Sequence, residues 1–459
     1  MGIAAVILAA GRGTKMWPYG DTHPKATLPV ANRPLLERTI DHLREIGIQE
    51  IVVVRGHLGD QVREVAGRRR SITCVEQPKL LGTANAVLCA MSVLGADQIL
   101  VLYGDVLVTP DDLRSVMEAH EEHPDSLTLL VSGWRGEPTQ TGVGVHVRDR
   151  QATGIVGHPR EECARYCGVL MFPNKSFGDY IERNPGIMTS VEVGVMPPPE
   201  SELAQSVELY RRSGGAVYVV TAKGPVMDLD KPWHILAANS AWLDYASERL
   251  SGNEIHPSAH VHPEAAIEGR IVVGEGSVIG RDARIKGDCW VGKNTRIVDG
   301  AIIYAKTCIG DDCVIREYCQ IGEHTMIGHG CVVGHCAEFS GVLMDGAYSY
   351  HYGEYWGVVG RSSDLGAATV CGTLRFDDQE TIHSIRGRRE IPRIGANASY
   401  LGDYVRTGVN AILMPGVKVG PYSVIGPGVI LQEDAPNNSL IYVKQEICRK
   451  EWGPERYGW

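Results

Sequence analysis

Two periodicities divide the chain. Up to about Leu250, short apolar runs alternate with segments whose apolar residues recur at helical spacing. Ala4–Leu8, Glu50–Arg55, Ile72–Val75 and Gln98–Tyr103 read as buried strands. Arg33–Ile46, with Leu35, Leu36, Ile40, Leu43 and Ile46 at helical intervals, reads as a helix stopped by Gly47, and Gly59–Ala66, Thr83–Leu94 and His234–Leu250 read as helices too. This repeated βα order predicts an α/β domain built on a Rossmann-like, doubly wound, mostly parallel sheet. Its ligand crevice should lie beyond the carboxyl ends of the strands.

From Asn253 the period changes to six. Ile255, Val261, Ile267, Val273, Ile279, Ile285, Val291, Ile297, Ile303, Ile309, Ile315, Ile321, Ile327 and Val333 recur without a break, often followed by glycine. Such a repeat predicts a parallel β-helix, in which each apolar residue is buried only by stacking on its neighbours. The pattern lapses after Phe339, returns briefly at Val359 and Leu365, and is interrupted by the charged stretch Arg375–Arg393. It resumes from Leu401 to Leu431. Interruptions in a solenoid project as loops from one face. The expected domains are 1–250 and 251–435, with a tail, 436–459, packing across the last coil or a neighbouring subunit.

Length agrees with more than one domain, since 459 residues exceed what one core normally supports. A net charge of −10 with no large basic block argues against a nucleic-acid partner, so anionic ligands must be met by local lysines and arginines. The apolar start, Ile3–Ala10, is too short for a membrane span and lacks a basic leader. With twelve cysteines and no Cys-x-x-Cys spacing, a cytoplasmic, thiol-reduced protein is expected. His324, His329, Cys331, His335 and Cys336 match no closed zinc pattern and read as turn histidines and small core cysteines.

Candidate chemistry gathers where the first strands end. Gly11 and Gly13 follow the strand ending at Leu8, and glycines there let backbone N–H groups approach a phosphate chain, with Lys15 and Lys25 supplying charge. Gln77-Pro-Lys-Leu-Leu-Gly82-Thr83-Ala84 offers an amide and backbone groups to a base edge, or simply a helix start capped by Thr83. Asp105, closing a buried strand, is costly there unless it meets a cation, and beside phosphates it suits Mg²⁺.

The run Leu8-Ala-Ala10-Gly11-Arg-Gly13-Thr14-Lys15-Met16, with Pro24-Lys25 and Arg33-Pro34-Leu35, resembles the signature of the nucleoside-diphosphate-sugar pyrophosphorylases, the sugar-1-phosphate nucleotidylyltransferases. The resemblance implies that Leu8, Ala10, Gly11, Gly13, Thr14, Gln77, Gly82 and Thr83 bind an NTP and that Lys15 and Lys25 are catalytic. It implies that Asp105 and Asp228 hold Mg²⁺, with Asp230 as an alternative ligand or a helix cap. Lys15 stands where the family usually has arginine, so charge is kept without the planar fork. On the sugar side Thr141-Gly-Val-Gly144 resembles the family's glycine turn. Val156-Gly-His-Pro159 and Tyr166-Cys-Gly168 depart from the family's Val-Glu-Lys-Pro and Asn-x-Gly. Gly144, Tyr166 and Lys223 are the sugar-binding candidates, with Arg160, Glu161 and Glu162 as possible replacements for the lost groups.

Over nearly the whole chain the resemblance is to archaeal-type bifunctional nucleotidylyltransferase/acetyltransferases. It implies a left-handed coil, a trimer formed along it, and a possible acyl-transfer site using acetyl-CoA. The candidates there are His351 and Tyr355, whose spacing differs from the family's His-x-x-Tyr, and Arg386 and Arg388 where the archaeal type has lysines. The alternative of another class is a regulatory or nucleotide-sugar-binding subunit of the same fold.

Overall fold

A computed structural model describes residues 2–134, 139, 142–183 and 200–456. Thr141 and the last three residues of the tail lie outside them.

Nine strands of the first half form one sheet in the order Ile72–Glu76, Glu50–Arg55, Ile3–Ala9, Gln98–Tyr103, Ala164–Pro173, Leu127–Ser132, Val217–Thr221, Gln151–Gly157, Val143–Arg148. The first four run parallel, joined by the helices Leu35–Glu45, Gly59–Gly67 and Thr83–Met91. Both faces of these strands are covered. Ala5, Ile7, Val53 and Leu102 pack with Leu36, Ile40 and Val62 on one side, and Val6, Val52, Val54 and Val101 pack with Ala84, Val87 and Phe172 on the other. Burial on both faces is why these strands read as continuous apolar runs. Arg33 and Pro34 leave the first expected helix and pair instead with Val30 and Pro29.

Past Gln98–Tyr103 the sheet is mixed rather than mostly parallel. Ala164–Pro173 runs antiparallel to both neighbours. Val143–Arg148 and Gln151–Gly157 form a hairpin closed by Asp149 and Arg150 at φ 49° and 62°. A two-residue loop can only reverse the chain, so this half of the sheet acquires antiparallel pairs.

In the second half, Glu254–Ile255 pairs in parallel with residues 272–273, His260–Val261 with 278–279 and Ala266–Ile267 with 284–285. The step is eighteen residues, three repeats, so the chain winds and each inward residue stacks on the one a turn ahead. Ile279, Ile285, Val291, Ile297, Ile303, Ile309, Ile315 and Ile321 line a single core.

The stacking does not lapse after Phe339. Glu338–Leu343 and Glu354–Val359 stack at a sixteen-residue step, with Phe339, Leu343, Tyr355 and Val359 filling the interior. The expectation of a gap failed because a shorter turn shifts the six-residue count and aromatic rings replace β-branched residues. The next step, Gly357 to Ser399, is 42 residues, 24 more than a turn. The excess leaves the coil as an excursion containing a hairpin of His383–Ile385 and Arg388–Glu390. Leu440–Ile441 then stacks on Val424–Ile425, so the winding continues past Pro436, where a tail without repeats was expected.

The halves share a core. Met16, Tyr19, Leu28, Trp233 and Leu236 pack with Met326, Val342, Val358, Ile385 and Tyr400. The Tyr19 hydroxyl donates to Val358 O at 2.8 Å, and His23 Nε2 meets the wholly buried carboxylate of Asp403 at 2.8 Å.

Candidate active site

The glycine loop leaves the carboxyl end of the central strand Ile3–Ala9. Gly13 adopts φ 61°, and Met16 N–H donates to its carbonyl at 2.8 Å. A Cβ at Gly13 would stand 2.9 Å from Lys25 Cγ, so glycine is what lets the Lys25 stem pass against the loop. Gly11 faces open space. Leu8 O accepts from Gly104 N–H and Ala10 O from His57 N–H, pinning the base of the loop to the neighbouring strand ends.

Asp105 follows the strand Gln98–Tyr103, and Asp228 lies on Met227–Asp228, paired antiparallel with Val106–Leu107. Leu229 N–H donates to Asp105 O at 2.9 Å, which holds the two acidic segments side by side. Lys25 Nζ contacts Asp105 Oδ2 and lies 3.6 Å from Asp230 Oδ1, while Lys15 Nζ binds Asp230 Oδ2 at 3.0 Å. Arg165 approaches Asp228 at 3.6 Å. Three aspartates and three cations thus meet at the strand ends. Burial and the nearby Asp105 push the Asp228 carboxyl up to about 7. Burial also opposes the charge on Asp230, but Lys25 and Lys15 overcome it and hold that carboxyl down at about 2. For Lys25, burial is outweighed by Asp105, Asp228 and Asp230, which raise it above its ordinary value.

Asp230 is therefore an ion-pair partner and not a cap. The N-cap position of the helix Pro232–Arg249 is Lys231, without a side-chain cap, and Asp230 N–H donates to His234 Nδ1 at 3.1 Å. Asp228 Oδ1 is shielded from solvent and has no hydrogen-bond partner among the described residues. A desolvated carboxylate oxygen beside a second carboxylate fits a hard divalent cation, and Asp105 and Asp228 are the residues that would hold it. The histidines and cysteines of the coil form no ligand cluster among the described residues. His324 instead binds Asp244 at 2.8 Å, and Cys331 lies in the coil core.

The second motif is more occupied than its sequence suggests. Gln77 Nε2 donates to Gly82 O at 3.0 Å and to Asn85 Oδ1 at 2.9 Å, so the amide braces its own loop. The helix cap is Gly82, at φ 92°, and not Thr83. A Cβ at Gly82 would lie 2.4 Å from Ser201 O. The Thr83 hydroxyl donates to Glu202 Oε2 at 2.9 Å and accepts from Leu203 N–H at 2.8 Å, tying this helix start to the helix Leu203–Arg212.

A cleft of about 110 Å³ opens beside Asp228, lined by Tyr103, Gly142, Arg165, Tyr166 and Gly168. Of the sugar-side candidates, the structure brings Tyr166 to it, 8% exposed and edge-on to Tyr103 at 5.8 Å. Gly144 does not line it, because the space a Cβ would fill is taken by Cys163 Sγ at 2.5 Å and Pro159. Lys223 is exposed on a turn whose backbone is held by Asp112, and Arg160, Glu161 and Glu162 are exposed on another. The cation at this cleft is Arg165, which the sequence did not single out. Its signal was its place just before Tyr166 on a strand running to the site.

The acyl-transfer candidates are not assembled. His351 is exposed on a turn, whereas Tyr355 is 2% exposed inside the coil, stacked on Phe339, with its hydroxyl donating to Ser399 O at 2.9 Å. Arg386 sits at the tip of the excursion hairpin and donates from Nη1 to Thr14 Oγ1 at 2.8 Å, which places it on the glycine loop of the first half. Arg388 is exposed on the same hairpin.

Residues 5–160 match the family model of the MobA-like NTP transferase domain, and residues 251–346 match that of the GMPPB C-terminal domain. The first of these covers the glycine loop, the Gln77 motif and Asp105. Residues 5–160 are an NTP transferase domain of the MobA-like type. A bifunctional protein GlmU of Methanococcus vannielii is 25% identical over 456 residues, covering 97% of this chain and 99% of its own. A bifunctional sugar-1-phosphate nucleotidylyltransferase/acetyltransferase of Sulfurisphaera tokodaii is 26% identical over 434 residues, covering 94% and 97%. Among solved structures, a UDP-glucose pyrophosphorylase from Acinetobacter baumannii aligns over 55% of this chain and 95% of its own at 22% identity, with a TM-score of 0.44. No helix among the described residues is long and apolar enough to cross a membrane.

Proposed function

We propose that this protein transfers a nucleotidyl group from an NTP to a sugar 1-phosphate, giving an NDP-sugar and pyrophosphate. The observation that carries the reading is the meeting of Lys15, Lys25, Asp105, Asp228 and Asp230 beside the glycine loop. The Sulfurisphaera tokodaii relative named as a sugar-1-phosphate nucleotidylyltransferase/acetyltransferase, matched over 97% of its own length, supports it. An oxygen of the sugar phosphate attacks the α-phosphorus, the bond to the α–β bridging oxygen breaks, and pyrophosphate leaves with the bonding pair. The nucleophile is already anionic, so catalysis rests on placement and charge rather than on a general base.

Lys25 exchanges its carboxylate partners for the reacting phosphates, and Lys15 meets the departing pyrophosphate. Arg165 and Tyr166 border the sugar side. Backbone groups of Leu8, Ala10, Gly11, Gly13 and Gly82, with Thr14, Gln77 and Thr83, receive the nucleotide. A Mg²⁺ held by Asp105 and Asp228 would screen phosphate charge and align the oxygens.

The second half is read as a left-handed β-helix beginning near residue 251, through which the chain associates as a trimer. No acyl-transfer step from acetyl-CoA is assigned, because His351 and Tyr355 lie outside and inside the coil. A nucleotide-sugar-binding subunit is the second reading, favoured by the commitment of the Thr83 hydroxyl to Glu202 and Leu203.

Pyrophosphate release across a matrix of NTPs and sugar 1-phosphates separates the two. Turnover of at least one pair, lost in Asp105→Ala and in Lys25→Ala while the far-UV spectrum is kept, supports the transferase. Silence of the wild-type protein across the matrix supports the binding subunit.

A further inference from the structure

The excursion hairpin carries three exposed arginines, Arg386, Arg388 and Arg389, on a chain of net charge −10. Its tip is Arg386-Gly387, at φ 48° and 79°, between the paired residues Ile385 and Arg388. A two-residue loop with both residues left-handed is the tight hairpin form that matches strand twist. The tip is thus a stiff carrier for one guanidinium.

The hairpin is also fixed to the active-site side of the molecule. Ile385 is buried in the cluster with Met16, Tyr19 and Trp233. His383 Nε2 bonds to Ala396 O at 2.7 Å, and its ring lies 5.1 Å from that of Trp233. Glu390 binds Lys231, a residue 3% exposed and directly adjacent in sequence to Asp230. The segment that supplies Asp228 and Asp230 therefore also anchors the hairpin whose tip reaches Thr14 on the glycine loop.

We infer that Arg386 is a phosphate-binding residue of the nucleotide site, delivered from the second half of the chain to recognise the polyphosphate of the NTP. Lys15, Lys25 and Arg165 already face Asp230, Asp105 and Asp228, so their charges are largely balanced before an anion arrives. Arg386 instead donates to a neutral hydroxyl through one N–H. A guanidinium has five donors in a planar fork suited to phosphate, and this one lies along the loop whose amides would receive the same phosphates. The assignment also gives the 24-residue departure from the coil a chemical purpose. It rests on the nucleotidyl-transfer reading of this cleft, and its test is separable from that reading.

Binding of inorganic tripolyphosphate in the presence of Mg²⁺, measured by calorimetry, needs no turnover. Arg386→Asn preserves the left-handed tip, since asparagine tolerates that backbone. It should weaken tripolyphosphate binding by roughly 10- to 100-fold, the size of one hydrogen bond to a charged group. Arg386→Lys should recover part of the loss. Arg389→Gln, the same charge change elsewhere on the hairpin, should alter binding less than about twofold, as an exposed charge does. On any NTP that is turned over, Arg386→Asn should raise KM for the NTP and leave KM for the sugar 1-phosphate unchanged. Equal tripolyphosphate binding by Arg386→Asn and wild type, equal losses in Arg386→Asn and Arg389→Gln, or no binding by wild type would each overturn the inference. Loss of binding in Arg386→Asn from a wild type that turns over no NTP would uphold the anion site and reject the transferase.

Discussion

At Gly13 the backbone has φ 61°, and a Cβ would press on the Lys25 stem at 2.9 Å. Gly13→Ala should therefore cost about 1–2 kcal/mol of stability through the left-handed backbone. Its larger effect should be on turnover, because Lys25 must shift from between Asp105 and Asp230. A steady-state assay showing unchanged kcat in Gly13→Ala would reject the role given to this contact.

The glycine loop, both lysines and Asp105 can be picked out at strand ends, and Asp228 and Asp230 through the family resemblance. What linear reading could not supply was partnership. In sequence Asp230 reads as a ligand or a cap, whereas in the fold Lys15 and Lys25 face its two oxygens. Arg165 carried no motif. Arg386, read with the acyl-transfer candidates, contacts a residue 372 positions away. Tyr355 is a candidate through the resemblance to the family's His-x-x-Tyr pair, and only the register shows it facing inward.

At the scale of elements, the period-six repeat translated directly into the eighteen-residue register, because one inward residue per short strand is all the coil requires. The N-terminal strands were legible for the related reason that burial on both faces leaves an uninterrupted apolar run. The mixed half of the sheet was not, since strand direction depends on connections whose lengths the apolar pattern does not record.

The excursion showed only as an interruption, and its ordered hairpin depends on tertiary anchors, chiefly Lys231 with Glu390. Glu390→Ala leaves the nearly inaccessible ammonium of Lys231 unpaired, and a broken buried pair costs about 3–5 kcal/mol. Urea unfolding of Glu390→Ala should show a loss of that order, together with weakened nucleotide binding. A change below about 0.5 kcal/mol, typical of surface positions, would mean the pair does not anchor the hairpin.

At the scale of the whole molecule, the shared core makes the halves interdependent. Asp403, in the coil, has its carboxyl held below the ordinary value: burial opposes its charge, but the contact with His23 and the bond from Arg361 N–H outweigh that cost. A depressed carboxylate stabilises the fold above its unfolded value near 3.9, and the contribution is lost as pH falls through the lower folded value. Asp403→Asn should therefore be less stable than wild type by about 1–3 kcal/mol at pH 7. The gap should narrow below about pH 4. A gap independent of pH in denaturant titrations would show that the charge is not what stabilises this junction.

The proposed trimer belongs to the same scale. Leu374 and Phe376 on the excursion are 81% and 102% exposed, and Ile447 in the tail is 81% exposed, apolar surface that association would cover. Light scattering should give three times the mass of the 50.0 kDa chain, and a monomer would contradict the proposal.

Nucleotidyl transfer itself is tested most directly by ³¹P NMR of the protein with Mg²⁺, an NTP and a sugar 1-phosphate, run over a panel of bases and sugars. The expected result, for at least one pair, is loss of the NTP β-phosphorus signal with equal growth of a diphosphate diester and free pyrophosphate. Neither product should form with folded Asp105→Ala or Lys25→Ala. No diester with any pair, or diester formed at the wild-type rate by both variants, would contradict the mechanism built on this site.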